Sequence, residues 1–381
     1  MGNLKIILDI PALVINGLIT WLVYVGIKES KNLNNLFVIL KLFIILMVIA
    51  MGIAFINTDN WFPVSTVTHT PSFMPNGFAG VMSAVSGVFF AYIGFDALSV
   101  LSEETKNPQK NLPRGMIISL VLCTIIYIIL TLVLTGMVDY RKFEGIGDPL
   151  AFIFEKSNAN IAWMELVVSL GAIIAITTVL LVFQMGQPRI WYAMSRDGLM
   201  PKKFMEIHPK HKTPAFATIL TGIVVGVPIL FTDKSFILDF TSIGTIFAFV
   251  LVCGGVLLLP SKEKLKGRFH LPYINAKIIF PVIFLGGLLF FYWWQPEFFH
   301  TLMNWDHETA GEFRISMFFF IVINLGLCVL AFVKHLSLIP LMGLSSCLYL
   351  LTGMSHNNWF WFLVWFAIGL VIYFSYGFKN S

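Results

Sequence analysis

The sequence predicts an all-α polytopic membrane protein, and three observations support this fold class. The chain has 381 residues, of which 57% are hydrophobic and only 12% charged. Its mean hydropathy is +0.84, whereas soluble domains carry about 25% charged residues. Apolar runs of about 20 residues, the length that spans the hydrocarbon of a bilayer, predict about eleven transmembrane helices. The centres of these runs lie near residues 17, 46, 90, 125, 172, 222, 248, 286, 324, 345 and 367.

The first five spans follow from apolar runs and from the polar segments between them. Two spans, 6–27 and 36–56, form a hairpin around a short turn, and a proline-containing loop leads to an interrupted span near residue 90. The next span covers 112–138, and we expect Pro113 to lie in its first turn, where a proline costs no hydrogen bond. Residues 139–160 are polar, and the span 161–184 follows.

The largest polar block, residues 186–214, separates the fifth span from the last six. Its glycine, prolines and paired basic residues predict short helices that lie against the bundle. Two spans follow at 215–231 and 236–259, and four more lie after a basic loop, within 272–377. With no separate soluble segment, the sequence predicts one membrane domain over residues 1–381.

Basic residues predict the orientation, because Lys and Arg near helix ends are retained in the cytoplasm. Alternating the eleven spans places 18 of the 25 basic residues on one side. We therefore predict a multi-pass protein of the cell membrane with Met1 outside and Ser381 in the cytoplasm. The net charge of +5 is then a positive-inside bias, and we predict no nucleic-acid partner.

The third span is interrupted where the sequence reads FFAYIGFD, residues 89–96. Gly94 tolerates unusual backbone angles, and an aspartate at the helix centre, such as Asp96, costs about 2.5 to 3.5 kcal/mol on insertion scales. An unwound backbone at this depth persists only where protein, water or a ligand satisfies its polar groups, so the pattern predicts a binding site. A zwitterion suits the ends of two half-helices, carboxylate to amides and ammonium to carbonyls. The alternative is a packing kink in which Asp96 caps the second half-helix.

Lys41 is the only basic residue inside an apolar run, NNLFVILKLFIILMVIAMG. One interpretation is that its side chain snorkels to the interface, as lysines near helix ends do. The other is a functional site, because burial penalises the ammonium form and so favours exchange of its proton. Thr177 and Thr178 lie in another span, VVSLGAIIAITTVLLVF, where hydroxyls either line such a site or bond their own helix.

Several long, collinear blocks resemble the cationic amino acid transporter family, within the amino acid–polyamine–organocation superfamily. The segment FFAYIGFDALSVLSEETKNPQKNLPRG is similar to the family's sixth helix and following loop. GQPRIWYAMSRDGLMP with HPKHKTP resembles the loop after its eighth helix, and SIGTIFAFVLVCGGVLLL its tenth helix. LSLIPLMGLSSCLYL and FLVWFAIGLVIYFSYG resemble its last two helices.

The resemblance implies an inverted-repeat transporter fold, in which an amino acid binds where the first and sixth helices unwind. It implies that Lys41 occupies the place of the sodium ion in sodium-coupled relatives, with Thr177 and Thr178 lining a proton site. Phe95 would act as a gating or packing aromatic, and Asp96 lies at the end of the substrate segment. The residues that would supply carbonyls and walls to the substrate are Phe90, Ala91, Tyr92, Ile93 and Gly94.

The resemblance also implies an incomplete first repeat. Residues 6–56 align with the fourth and fifth helices of the family, residues 79–259 form the second repeat, and residues 272–377 are additional C-terminal helices. About three preceding spans of ~20 residues each, one of them carrying the other half of the substrate site, have no counterpart here. We expect a truncated gene product, and the alternative is a chain that works with a separate N-terminal piece or in an oligomer.

The resulting hypothesis is secondary active transport of amino acids, proton-coupled and working by alternating access in a lipid bilayer. The rival hypothesis is a truncated, non-transporting membrane scaffold or subunit that requires a separate N-terminal piece. We predict no enzyme activity, cofactor or metal, because the sequence has no phosphate-binding loop and its loop histidines lack a metal or triad spacing. Those histidines are His208, His211, His300 and His307.

Overall fold

A computed structural model of the chain shows the predicted all-α architecture. It describes residues 9–26, 31–65, 69–95, 97–100, 105–156, 161–232, 234–259, 272–294 and 311–378. Asp96, His300 and His307 lie outside the described residues. The described residues form helices and turns, with two isolated β-bridges, Val64 with Pro71 and Asn275 with Ser337.

The helices of the first half include the two that flank the interrupted segment, α3 and α4. They are α1 (Ile10–Val25), α2 (Lys31–Ile53), α3 (Gly77–Phe89), α4 (Ala97–Val100), α5 (Pro108–Met137), α6 (Pro149–Lys156) and α7 (Ala162–Arg196). The second half holds the remaining helices of the described chain. They are α8 (Ala215–Ile229), α9 (Lys234–Leu258), α10 (Ala276–Trp294), α11 (Gly311–Lys334), α12 (Leu338–Thr352) and α13 (His356–Ile372).

Each of the eleven predicted spans coincides with an apolar helix. Within the described residues, seven helices are long and apolar enough to cross a membrane, and four further apolar helices are shorter. The shorter ones are α1, α8, α12 and the segment Gly80–Tyr92, which includes most of α3. The polar segment 139–160 contains a short 3₁₀ turn, Tyr140–Phe143, and α6.

Local signals explain where α1 begins and ends. The side chain of Asp9 accepts a hydrogen bond from the backbone N–H of Ala12 at 3.1 Å, and Pro11 lies in the first turn, where its missing N–H has no helical role. Gly26 ends the helix in the left-handed conformation, with φ of 74°, and its N–H donates to the carbonyl of Val23. This is the usual geometry of a helix C-terminus.

The predicted start of α5 is wrong. The helix begins at Pro108, after Asn107 in the left-handed region, and Pro113 lies inside the helix. Pro108 takes the first-turn position that the prediction gave to Pro113, so the helix gains a turn of polar residues before its apolar run. Hydropathy alone does not mark this start, because polar residues continue a helix as well as apolar ones.

The prediction of short helices over 186–214 is wrong for the part up to residue 196. α7 continues through Pro188 to Arg196, and only Lys202–Met205 forms a separate 3₁₀ turn. A proline inside a helix removes one backbone donor, and beyond Pro188 the ring of Trp191 packs edge to face on Phe204. α7 has 35 residues and is therefore about 52 Å long, well beyond the hydrocarbon thickness of about 30 Å.

α7 is the central helix of this region, since α1, α2 and α6 of the first half and α8 of the second all pack on it. One buried cluster joins α2, α5, α6 and α7 through Val48, Val133, Phe154 and Val168. In the second half α9 packs along α12 and α13. α12 also contacts α3, so the C-terminal helices reach the interrupted segment.

Candidate functional site

The predicted interruption is present between α3 and α4. α3 ends at Phe89, and residues Phe90–Tyr92 form one 3₁₀ turn. Ile93 is extended, with φ of −61° and ψ of 133°, and Gly94 has φ of +120°. The chain therefore leaves the helical path after Tyr92, and α4 begins at Ala97.

Hydrogen bonds within the protein satisfy three of the five carbonyls that the sequence assigned to the substrate. The carbonyl of Phe90 accepts from the N–H of Ile93 at 3.2 Å, and that of Gly94 accepts from the N–H of Ala97 at 3.1 Å. The carbonyl of Ala91 accepts from the hydroxyl of Tyr127 at 2.8 Å. The break is thus a defined structure, stabilised in part from α5.

Aromatic rings surround the break. The rings of Tyr92 and Tyr127 meet edge to face, with centroids 5.4 Å apart. Phe249 of α9 contacts Phe89 at 6.2 Å and Phe95 at 5.5 Å between centroids. Apolar and aromatic walls of this kind line small-molecule sites in proteins, and they favour an apolar group on the ligand.

α7 forms the remaining side of the break. A β-carbon added to Gly94 would lie 3.8 Å from Cζ of Phe183, and α4 packs on α7. Phe90 and Ala91 are exposed, whereas Tyr92 to Phe95 are half-buried. The break is therefore open on one face and walled on the others by α5, α7 and α9.

The structure brings Lys41 and Thr178 together. The Lys41 ammonium donates a hydrogen bond to Thr178 Oγ1 across the contact between α2 and α7. The Thr178 hydroxyl in turn donates to the carbonyl of Ala175 at 2.8 Å, and the Thr178 side chain is buried. The ammonium of Lys41 thus has a protein partner within the apolar contact of two helices, as a charge inside a membrane span requires.

Thr177 does not take part in this contact. Its side chain is exposed, and its hydroxyl donates to the carbonyl of Ile173, one turn earlier in α7, at 2.8 Å. This is the ordinary arrangement of a threonine in a membrane helix. Of the two predicted threonines, only Thr178 lies beside Lys41.

The sequence did not single out Tyr127 or a polar bridge that joins α1, α7 and α8. Gln184 Nε2 donates to Thr20 Oγ1 at 3.0 Å, and Thr20 Oγ1 donates to the Asn16 carbonyl at 2.7 Å. Asn16 Nδ2 donates to the carbonyl of Gly222 at 2.9 Å. The sequence could have indicated Gln184, because a buried amide in an apolar run needs a hydrogen-bond partner.

Comparison with known proteins gives this arrangement its context. The profile of the amino acid permease family matches residues 10–305, more than half of the chain. The chain belongs to the amino acid permease family. A second profile, for the C-terminus of such permeases, matches residues 336–381 of this permease chain. The superfamily that the sequence predicted is confirmed, and the permease is a multi-pass membrane protein.

Individual relatives agree with this assignment. The branched-chain amino acid permease BcaP of Bacillus subtilis (strain 168) is 35% identical over 374 residues, which is 98% of this permease chain and 65% of the relative. The methylthioribose transporter of the same organism is 41% identical over 291 residues, covering 76% of the chain and 60% of the relative. The cationic amino acid transporter 3, mitochondrial, of Arabidopsis thaliana is 33% identical over 257 residues, covering 68% of the chain and 41% of the relative. The chain therefore spans less than two thirds of the length of these relatives.

Proposed function

We propose that this permease carries amino acids across the cell membrane by proton-coupled secondary transport with alternating access. The observation that carries the proposal is the break between α3 and α4. An interrupted helix that lies against three other helices is where membrane transporters bind their substrates. Membership of the amino acid permease family supports an amino acid as that substrate.

The walls of the break favour an amino acid with an apolar side chain. The described rings in or against the interruption include Tyr92, Phe95, Tyr127, Phe183 and Phe249. Such rings bury an aliphatic group favourably, at about 25 cal/mol per Å² of apolar surface. One relative is named a branched-chain amino acid permease, which supports the same substrate class.

The contact between Lys41 and Thr178 supports proton coupling. α7 carries both Thr178 and Phe183, and five residues of helix separate them by about 7.5 Å along the axis. Loss of the proton from Lys41 removes a charge from the contact between α2 and α7, and α7 also forms one wall of the break. A change of charge at Lys41 therefore acts on a helix that also contacts the proposed substrate site.

Uptake into liposomes tests the proposal directly. The chain, purified and reconstituted, is given labelled leucine, lysine or methylthioribose, with and without an inwardly directed proton gradient. We expect saturable leucine uptake that the proton gradient stimulates, and little uptake of lysine. If none of the three compounds shows saturable uptake, the result would contradict transport by this chain. Uptake at the same rate with and without the gradient would contradict proton coupling.

A further inference from the structure

Tyr127 of α5 makes two contacts with the break. Its hydroxyl donates to the carbonyl of Ala91 at 2.8 Å. Its ring meets that of Tyr92 edge to face, with centroids 5.4 Å apart. Tyr127 thus contacts two consecutive residues of the 3₁₀ turn, one through a hydrogen bond and the other through ring packing.

The Ala91 carbonyl needs this donor because of the break. In a continuous α-helix it would accept from the N–H of the fourth residue on, Phe95. The extended backbone of Ile93 and the positive φ of Gly94 turn the chain away between the two. A carbonyl without a partner at membrane depth is costly, and the Tyr127 hydroxyl supplies the donor that the helix no longer offers.

The contact works in both directions. A tyrosine hydroxyl inside an apolar helix also needs a partner, and in the unwound form it donates to the Ala91 carbonyl at 2.8 Å. If residues 90–95 rewound into a continuous helix, that carbonyl would accept from the N–H of Phe95 and no longer depend on Tyr127. The contacts of Tyr127 with Ala91 and Tyr92 are both made in the unwound geometry, and rewinding would move these two residues relative to α5. The hydrogen bond therefore favours the unwound form of the segment over the helical one.

We propose that Tyr127 is a positioning residue of the substrate site, one that holds the segment from Phe90 to Gly94 in the conformation that binds substrate. This inference rests on the proposed transport function, and it assigns Tyr127 a role through Ala91 rather than through contact with the substrate. When the binding-competent form becomes less populated, apparent affinity falls in proportion. Loss of Tyr127 is therefore expected to weaken substrate binding without slowing the saturated rate.

Kinetics of a matched pair of variants test this role. Tyr127→Phe keeps the ring packing and removes only the hydroxyl, and we expect its KM for uptake to rise about 2- to 12-fold, the worth of one net hydrogen bond, with an unchanged maximal rate. The control is Tyr349→Phe. The Tyr349 hydroxyl donates to the carbonyl of Met82 at 3.2 Å, on the same helix α3 but outside the break, so its KM is expected to stay at the wild-type value.

Hydrogen–deuterium exchange separates this inference from transport itself. In detergent-solubilised, monodisperse protein, Tyr127→Phe is expected to change amide exchange in peptides covering residues 90–95, whereas Tyr349→Phe leaves them as in the wild type. Replacement of Tyr127 by para-aminophenylalanine, which restores a donor, should return exchange and KM toward wild type. Wild-type exchange and wild-type KM in Tyr127→Phe would overturn the proposal. If the wild-type chain failed to transport, the exchange result alone would still show whether Tyr127 stabilises the conformation of the break.

Discussion

At the scale of single residues, Gly94 sets the geometry of the break. Its φ of +120° lies in a region that residues with a β-carbon rarely adopt. Steric crowding does not require a glycine here, because an added β-carbon would meet only Cζ of Phe183, at an ordinary contact distance of 3.8 Å. Backbone conformation is therefore the reason for a glycine here.

Replacement of Gly94 by alanine should impair the site through backbone strain. A strained residue of this kind costs on the order of 1 to 3 kcal/mol, so we expect Gly94→Ala to lower uptake at limiting substrate about ten-fold. The matched control is Gly87→Ala in α3, where an added β-carbon meets nothing within 4 Å. Equal uptake by the two variants would show that the positive φ of Gly94 is not required for uptake.

Lys41 and Thr178 give a second prediction at this scale. Lys41→Met removes the titratable group, and we expect uptake that no longer responds to a proton gradient. Lys334→Met removes a charge from the exposed last turn of α11 and should leave the response intact. Thr178→Val should weaken the response, whereas Thr177→Val should not, because Thr177 is exposed and bonds its own helix. A wild-type gradient response in Lys41→Met would exclude this lysine as the proton site.

Sequence alone indicates those candidate site residues that depart from their surroundings. Gly94 and Lys41 stand out within apolar runs, so composition indicates them. Tyr127 does not, because it is one of 10 tyrosines beside 37 phenylalanines, and its partner Ala91 lies 36 positions away on another helix. The choice between Thr177 and Thr178 likewise depends on which face of α7 meets α2, which the neighbouring hydroxyls do not reveal.

At the scale of elements, the contact between α1 and α8 combines close approach with a polar bridge. Gly222 of α8 is buried, and an added β-carbon would lie 2.6 Å from both Oγ1 and Cγ2 of Thr20. The same Thr20 accepts a hydrogen bond from Gln184 of α7. Three helices therefore meet at one threonine, and each limits how far the others can shift.

Gly222→Ala should loosen this contact. The methyl group must displace the β-branched side chain of Thr20, and such overpacking typically costs about 1 to 3 kcal/mol. We expect a lower melting temperature in detergent than for Gly244→Ala, whose added β-carbon meets nothing within 4 Å and whose helix gains up to about 1 kcal/mol from the substitution. Equal melting temperatures would contradict a close-packed contact at Gly222.

Element boundaries were predicted less well than the elements themselves. Hydropathy located each apolar helix because burial in lipid demands a long apolar run. It did not locate the start of α5 at Pro108, because that first turn is polar, or the continuation of α7 to Arg196, because Gly186, Pro188 and Arg189 interrupt the apolar run. Beyond Pro188, α7 packs on neighbouring elements such as the 3₁₀ turn Lys202–Met205. Hydropathy along the chain does not indicate such tertiary contacts.

At the scale of the whole molecule, the C-terminal helices connect with the interrupted one. α12 packs along α9 and contacts α3, and Phe320 of α11 meets the ring of Tyr349 with centroids 5.7 Å apart. Tyr349 in turn donates to Met82 of α3. In the proposed transport cycle, movement of α3 would therefore either carry these helices along or break the contact at Tyr349.

The distribution of charge predicts one orientation for this assembly. With 18 of the 25 basic residues on one side of the predicted spans, we expect Ser381 to face the cytoplasm. A C-terminal green fluorescent protein fusion in a bacterial host should be fluorescent, and a C-terminal alkaline phosphatase fusion should be inactive. The reverse result would invert the topology, and with it the direction in which the proton gradient must be applied.

The length of α7 has a mechanical consequence. From Thr178 to Arg196 the helix runs 18 residues, a lever arm of about 27 Å. A tilt of about 5° about Thr178 would sweep the far end through roughly 2 Å, comparable to the helix shifts that switch allosteric proteins. Trp191 lies on that arm with its ring centroid 5.4 Å from that of Phe204, and we expect its fluorescence to report such a tilt.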